Sequence, residues 1–315
     1  MKRLLAWAVI LMPSFTLACD VCGVFMGIQP YDRTNSISLI HRTRHLQGYM
    51  PVMGGHQHHH DEHGASTDAT EQHVRDLLRV AELRADIWVT KRINVVGAFT
   101  AANNYRAVGG YINNDVYGIS DPMVIGRYML VNTKSNGDAD RTAHRVMIGV
   151  GVKAPLGNSA PLYRGEPVPM EQQLGTGSWD ALGTLEYMVR KQRNGIALNM
   201  IGRRSGTAPD GHCMGHSLST TLEAFRTYQK GENWRIMPSA GIYYEAMTNM
   251  LHEGRIMSGT GGTTLFTHIA LRAWYRKWGV QAIYQPAVLK QMGPLMVPNS
   301  ERVILGITYN LKKNS

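Results

Sequence analysis

The densest chemistry in this chain is one tract, His56-Gln57-His58-His59-His60-Asp61-Glu62-His63. Imidazoles at His56, His58, His59, His60 and His63 and carboxylates at Asp61 and Glu62 are ligand types for Zn, Cu or Ni, and His-rich tracts are metal-binding by composition. Gly54, Gly55 and Gly64 flank it, which makes it a loop; the same composition also fits a polar loop that collects divalent ions without selectivity. A second group is His212-Cys213-Met214-Gly215-His216, where imidazole at His212 and His216, thiol at Cys213 and thioether at Met214 suit soft or borderline cations. Methionine is abundant, 18 in all, and Met50, Met53, Met170, Met214, Met247, Met250, Met257, Met292 and Met296 fall in or beside segments expected to be long loops. Thioethers select Cu(I), although methionine also serves simply to fill gaps. The third group is Cys19-Asp20-Val21-Cys22, which fits a disulfide, a redox pair or a metal clip, and leaves Cys213 as the odd thiol of three cysteines. The implied cofactors are therefore Cu or Zn ions and no organic group. Nothing argues for an enzyme: GxSxG, HExxH and P-loop patterns are absent, and the adjacent His216-Ser217 would face opposite ways on an extended chain.

The elements that must hold these residues begin with an address. Lys2 and Arg3 precede a nearly unbroken apolar stretch from Leu4 to Leu17, and Thr16-Leu17-Ala18 supplies small residues at a cleavage point. That is a secretory signal peptide over 1–18, too short and wrongly flanked for a membrane helix. A segment 19–35 with the CxxC follows, then one domain over 36–315. Net charge is +10, spread along the chain rather than gathered in a block, so a nucleic-acid partner is not expected. Mean hydropathy is −0.22, which fits a soluble protein and equally a membrane barrel whose strands are polar on one side.

The periodicity is that of strands. Ala81, Leu83, Ala85, Ile87 and Val89 alternate with Glu82, Arg84, Asp86 and Trp88; Val146 to Ala154, Leu265 to Tyr275 and Val303 to Asn310 behave the same way. About twelve such segments are present. Only 71–83, with Val74, Leu77, Leu78 and Ala81 at helical spacing, fits a short helix as well as a strand. Short joins at Lys91-Arg92, Arg193-Asn194, 230–233 and 276–279 alternate with long ones at 48–73, 106–120, 157–178, 207–215, 248–262 and 292–299, and on the short-join side only Lys134 to Thr142 is longer. Tight turns at one end and long loops at the other describe an antiparallel outer-membrane β-barrel of about twelve strands, with the short joins periplasmic. Trp88, Trp179, Tyr187, Trp234, Tyr243, Tyr244, Trp274, Tyr275 and Trp278 are candidates for interfacial girdles. The polar strand face, including Glu82, Arg84, Asp86, Lys153, Glu186, Arg203, Glu223, Glu245, His268 and Arg272, would line the interior. On this reading arginine is costly at Leu83, Ile148, Ile269 and Leu305 and cheaper at Glu82 or Thr308.

Four segments, Cys19-Asp20-Val21-Cys22-Gly23, Gly118-Ile119-Ser120-Asp121-Pro122, Gly175-Thr176-Gly177-Ser178-Trp179-Asp180 and Ala240-Gly241-Ile242-Tyr243-Tyr244-Glu245, together resemble the outer-membrane transporter barrels named for the meta-pathway of phenol degradation. The likeness spans nearly the whole mature chain, and Gly175–Asp180 is its most specific piece. It implies a transport barrel with no catalytic residues to carry over. The chain departs from barrel custom at its end, Leu311-Lys312-Lys313-Asn314-Ser315, so Tyr309 must present the aromatic that the barrel assembly machinery reads. Three readings follow: a transporter or channel for a small solute or metal ion set in outer-membrane lipid, a non-conducting metal-sensing or structural barrel, and a soluble periplasmic copper-binding β-protein.

Overall fold

The computed structural model describes residues 33–52, 70–133, 141–231 and 233–311. Among them twelve long antiparallel strands form one closed barrel: β1 (Ser36–Val52), β2 (Thr70–Trp88), β3 (Ile93–Val108), β4 (Met123–Asn132), β5 (Ala143–Lys153), β6 (Asp180–Lys191), β7 (Asn194–Arg204), β8 (Ser217–Arg226), β9 (Trp234–Met247), β10 (Gly262–Tyr275), β11 (Trp278–Met292) and β12 (Asn299–Asn310). Each pairs with its neighbours in sequence, and β12 pairs back to β1 from Ser36↔Asn310 to Leu46↔Asn299. Closure satisfies the backbone amides and carbonyls of every strand without leaving an edge, which a wall in hydrocarbon requires. No described helix is long and apolar enough to cross a membrane.

The segment 71–83 is strand throughout, inside β2. Its apolar side chains at helical spacing are split between faces, and pairing with both β1 and β3 over its length decides the conformation. The join expected at 106–120 is mostly strand: the chain turns at Gly109-Gly110 and runs back as an extra strand, Tyr111–Ile119, along β3. Both glycines have positive φ there, 58° and 88°. At the opposite end the two-residue turns Gln192-Arg193 and Arg276-Lys277 hold Gln192 and Arg276 at φ 53° and 54°, the left-handed geometry that tight hairpins demand.

Alternation sorts the side chains as the strand periodicity requires. Leu83, Phe99, Val124, Ile148, Ile269, Leu305 and Ile307 face outward and exposed, while Glu82, Arg84, Asp86, Arg127, Lys153, Glu223, Glu245, His268 and Arg272 are buried inside. An exposed apolar belt of this extent is a surface made for hydrocarbon, not for water. Its short-turn margin carries ring pairs, Trp234 with Tyr275 (4.7 Å between centroids) and Trp278 with Tyr309 (4.8 Å). Trp88, Tyr243 and Trp274 do not join this girdle. They share strand parity with the inward polar residues; Trp88 packs on Met129 and Met147, and Trp274 on Phe225 and Met237, inside the short-turn end.

Glu82 is not a tolerant interior position. It lies between Arg42 (3.0 Å) and Arg84, and an arginine there would place three cations together. Thr308, hydrogen-bonded to Ser38 Oγ at 2.9 Å, is the better inward comparison. Arginine at Leu83, Ile148, Ile269 or Leu305 is expected to cost about 2–4 kcal/mol each near the bilayer midplane, and less at Thr308. Reversible unfolding from lipid vesicles, read by heat-modifiable gel migration, checks the difference; equal tolerance on both faces contradicts the assignment.

Candidate functional site at the long-loop mouth

Buried ion pairs crowd the interior. Glu245 receives Arg44 (2.9 Å), Arg302 (2.6 Å) and the Tyr243 hydroxyl (2.5 Å). Glu223 binds Arg272 through both oxygens (2.9 and 3.2 Å), with His268 at 3.2 Å. Arg127 bridges Asp86 (2.7 Å) to Glu186 (3.7 Å), and Arg145 closes on Glu186 at 2.6 Å. Nine Lys and Arg residues and eight Asp and Glu residues are buried among the described residues. The two signs nearly balance among these buried groups.

The long-loop mouth is built from the two most distinctive loop motifs. Asp121, from Gly118–Pro122, and Asp180, which ends Gly175–Asp180 and opens β6, converge on Lys153 at the end of β5. The Lys153 ammonium lies 2.5 Å from Asp121 Oδ2 and 3.1 Å from Asp180 Oδ2, and donates to Thr176 Oγ1. All three charged groups are buried to within a few per cent of full burial. The Thr176 amide donates to Asp121 Oδ2 (2.9 Å), the Gly157 amide to Asp121 Oδ1 (2.8 Å) and the Gly206 amide to Asp180 Oδ1 (3.1 Å). One carboxylate pair thus fixes both ends of the connection 154–179 and the start of the next long loop. The glycines are needed for contact: a Cβ on Gly175 would stand 2.6 Å from the Gly157 carbonyl oxygen and 2.7 Å from Asp121 Oδ1.

Pinned at its ends, the connection folds inward at its middle. Its 3-10 turn, Met170–Gln172, puts Gln172 against the wall at 1 % exposure. The Gln172 side-chain amide donates to Asp76 Oδ2 (2.8 Å), and Asp76 is gripped by Arg106 through two bonds (2.8 and 2.7 Å). Arg106 also reaches Glu171 at 2.7 Å, and the Asn104 side-chain amide donates to the Gln172 and Gln173 carbonyl oxygens. Beneath, between β1, β2, β3 and Leu174, the free space measures about 30 Å³, room for a single water-sized body. Beside this loop, 205–216 and 248–261 join in a three-stranded ladder, His212–Cys213 with Leu251–His252 and Arg255–Ile256.

The candidate metal ligands fare differently. His56, His58, His59, His60, Asp61, Glu62, His63, Cys19 and Cys22 lie outside the described residues. The other four each have partners other than a common ion. His212 is half-buried, packs its ring on His252 (4.1 Å) and pairs with Asp210 (3.1 Å). That exposed carboxyl is held below its ordinary pKa first by the His212 backbone amide. Cys213 is buried and its thiol donates toward the Met214 and Ser205 carbonyl oxygens. Burial first, and the Asp180 charge next, push its pKa up. His216 accepts the Ser205 amide on Nδ1 (3.2 Å). Met214 alone turns into the barrel mouth. Among the described residues no three His, Cys, Asp or Glu side chains form a metal-sized group. Cys213 and His216 both bond to the Ser205 backbone, while His212 pairs with Asp210 and His252.

No protein-family model matches the sequence, and no curated protein is similar to it in sequence. The fold is similar to that of an outer membrane channel from Pseudomonas putida F1, with a TM-score of 0.59 at 12% identity, covering 90% of this chain and 100% of that one. The β domain of the Bordetella autotransporter BrkA (0.46, 12% identity, covering 89% of this chain and 100% of that one) and LpxR from Salmonella typhimurium (0.41, 7% identity, covering 88% and 100%) are more distant. At these identities the likeness to the channel is one of fold alone: a closed antiparallel β-barrel of the outer-membrane type.

Removing Lys153 leaves two buried carboxylates facing each other. Lys153→Met is expected to lower folded stability by about 3–5 kcal/mol, the usual cost of breaking a buried pair from one side, and to make 154–179 the first site of protease cleavage. Denaturant unfolding from vesicles and limited proteolysis measure both.

Proposed function

We propose that the chain is a bacterial outer-membrane channel for a small solute, closed in this conformation by the loop 154–179 folded into its mouth. The observation that carries the reading is the seat of that loop: Gln172 against Asp76 and Arg106, with both loop ends tied to Lys153 through Asp121 and Asp180. A barrel kept only for structural reasons has its core in its wall pairs. Here a polar, hydrogen-bonded segment is set across the lumen, and its contacts are of a kind that exchange with water at modest cost when the segment lifts. The apolar belt supports membrane insertion, and the long loops are assigned to the cell exterior because tight turns in such barrels face the periplasm. The near balance of buried charge favours a solute chosen by size and polarity over one chosen by charge. The resemblance of Gly118–Pro122 and Gly175–Asp180 to transporter barrels supports the same reading, since these motifs supply the latch itself.

The test is ion conductance of the purified full-length chain in planar bilayers, with Gly175→Val beside it. A valine side chain has no room against Gly157 and Asp121, so it should unseat the loop and leave the barrel wall intact. The native chain is expected to show small, infrequent openings, and Gly175→Val conductance several-fold larger at unchanged heat-modifiable migration. Silence in both proteins favours the non-conducting barrel; a large steady native conductance contradicts the inward loop as a closure.

A further inference from the structure

Seven methionines meet at one place under the mouth. Met214, Met247, Met250 and Met296 form a buried cluster, none more than 9 % exposed, and Met170, Met257 and Met292 pack against it half-buried. They come from separate segments: the inward turn of 154–179, the loops 205–216 and 248–261, the ends of β9 and β11, and 293–298. Ordinary core packing explains a methionine in an irregular gap. It does not explain why methionines from several segments gather in this one cluster when the rest of the molecule uses Leu, Ile and Val freely. Half of the fourteen methionines among the described residues are in this one cluster. The large apolar side chains on the exposed surface include no methionine at all. Met170, Met257 and Met292 are its half-buried members, so the cluster reaches solvent through them.

We propose that this cluster is a binding site for a soft monovalent cation of the Cu(I) or Ag(I) class, held by thioether sulfur alone. Such ions are weakly hydrated and prefer sulfur, so a cluster of thioethers in apolar surroundings replaces their water at low cost. A strongly hydrated divalent ion such as Zn(II) would lose its water there for donors too soft to offset it. The site is not the imidazole and thiol set that sequence spacing suggests: Met214 belongs to both, whereas His212, Cys213 and His216 are engaged elsewhere. The inference goes beyond the channel reading and stands whether or not the pore conducts, because it concerns equilibrium binding to the folded barrel.

Thioethers carry no proton near neutrality, and imidazoles do. The experiment is therefore Ag(I) binding to the full-length folded chain in detergent, without chloride, at pH 5 as well as pH 7, in a background carrying Cys19→Ser, Cys22→Ser and Cys213→Ser, which leaves no thiol. Ag(I) is redox-inert here and needs no reductant. The expected result is a site that persists at pH 5, shows only sulfur scatterers in X-ray absorption, and rejects Zn(II) at the same concentration. Met214→Leu, Met247→Leu and Met250→Leu, volume-conserving exchanges that cores tolerate, are each expected to weaken Ag(I) at least tenfold while heat-modifiable migration stays unchanged. Should one of them fail to fold, Met257→Leu at the half-buried rim gives the same reading. Loss of all binding at pH 5, a nitrogen shell around the ion, or native affinity in the leucine variants overturns the proposal.

Discussion

The long-loop end depends on one ammonium group. Lys153 is buried with Asp121 on one side and Asp180 on the other, and a single buried cation cannot be moved without stranding two anions. Because those carboxylates belong to different connections, fixing the lysine fixes where three loops start and end. The inward turn, the contact of Gln172 with Asp76 and the methionine cluster below the loop ladder all follow from that placement. Low local dielectric strengthens the pair and also makes it costly to leave half-made, so the mouth has two well-defined conditions, seated or released, and little between.

The wall obeys a different rule. Strand alternation turns every second side chain inward, and with twelve strands the lumen must be filled by what arrives there. This chain fills it with charges that neutralise one another, as in the Glu223, Arg272 and His268 group, and with apolar clusters such as Val96, Ile125, Leu182 and Ile201. The filling holds the shape of the barrel and narrows it at the same time. Surplus length in β1, β2 and β3, 17, 19 and 16 residues against the nine to eleven or so that a bilayer needs, raises one side of the wall above the belt. That raised side, through Asp76, Asn104 and Arg106, is what the inward loop docks against.

The fold was legible because period-two alternation and the contrast of short with long joins are local signals that tertiary structure has no means to reverse in a barrel. Lipid-facing Leu83 and Ile269 and inward Glu245 and Arg272 are consequences of parity alone. Parity also assigns Trp88 and Trp274 inward, where aromatic type by itself suggests a girdle. The mouth was legible only in fragments. Asp121 and Asp180 stand in motifs distinctive enough to notice, yet nothing in their spacing joins them to Lys153, since three elements must close before they meet. The contact of Gln172 with Asp76 spans 96 positions and has no sequence pattern. In the loops, nearness along the chain misleads: His212 turns to Asp210 and His252, away from the Ser205 backbone that Cys213 and His216 share, while Met170 and Met296, 126 positions apart, share one cluster.

The central claim is that 154–179 lies inside the mouth of the folded barrel. It is tested most directly by proximity in the membrane. Cysteines at Asn104 and Gln173, placed in a chain whose native cysteines are replaced by serine, should be bridged within the molecule by a short bis-thiol reagent when the protein is folded in lipid vesicles. The account predicts near-complete bridging of the heat-modifiable form and none after unfolding. A folded barrel in which these two positions fail to bridge would contradict it.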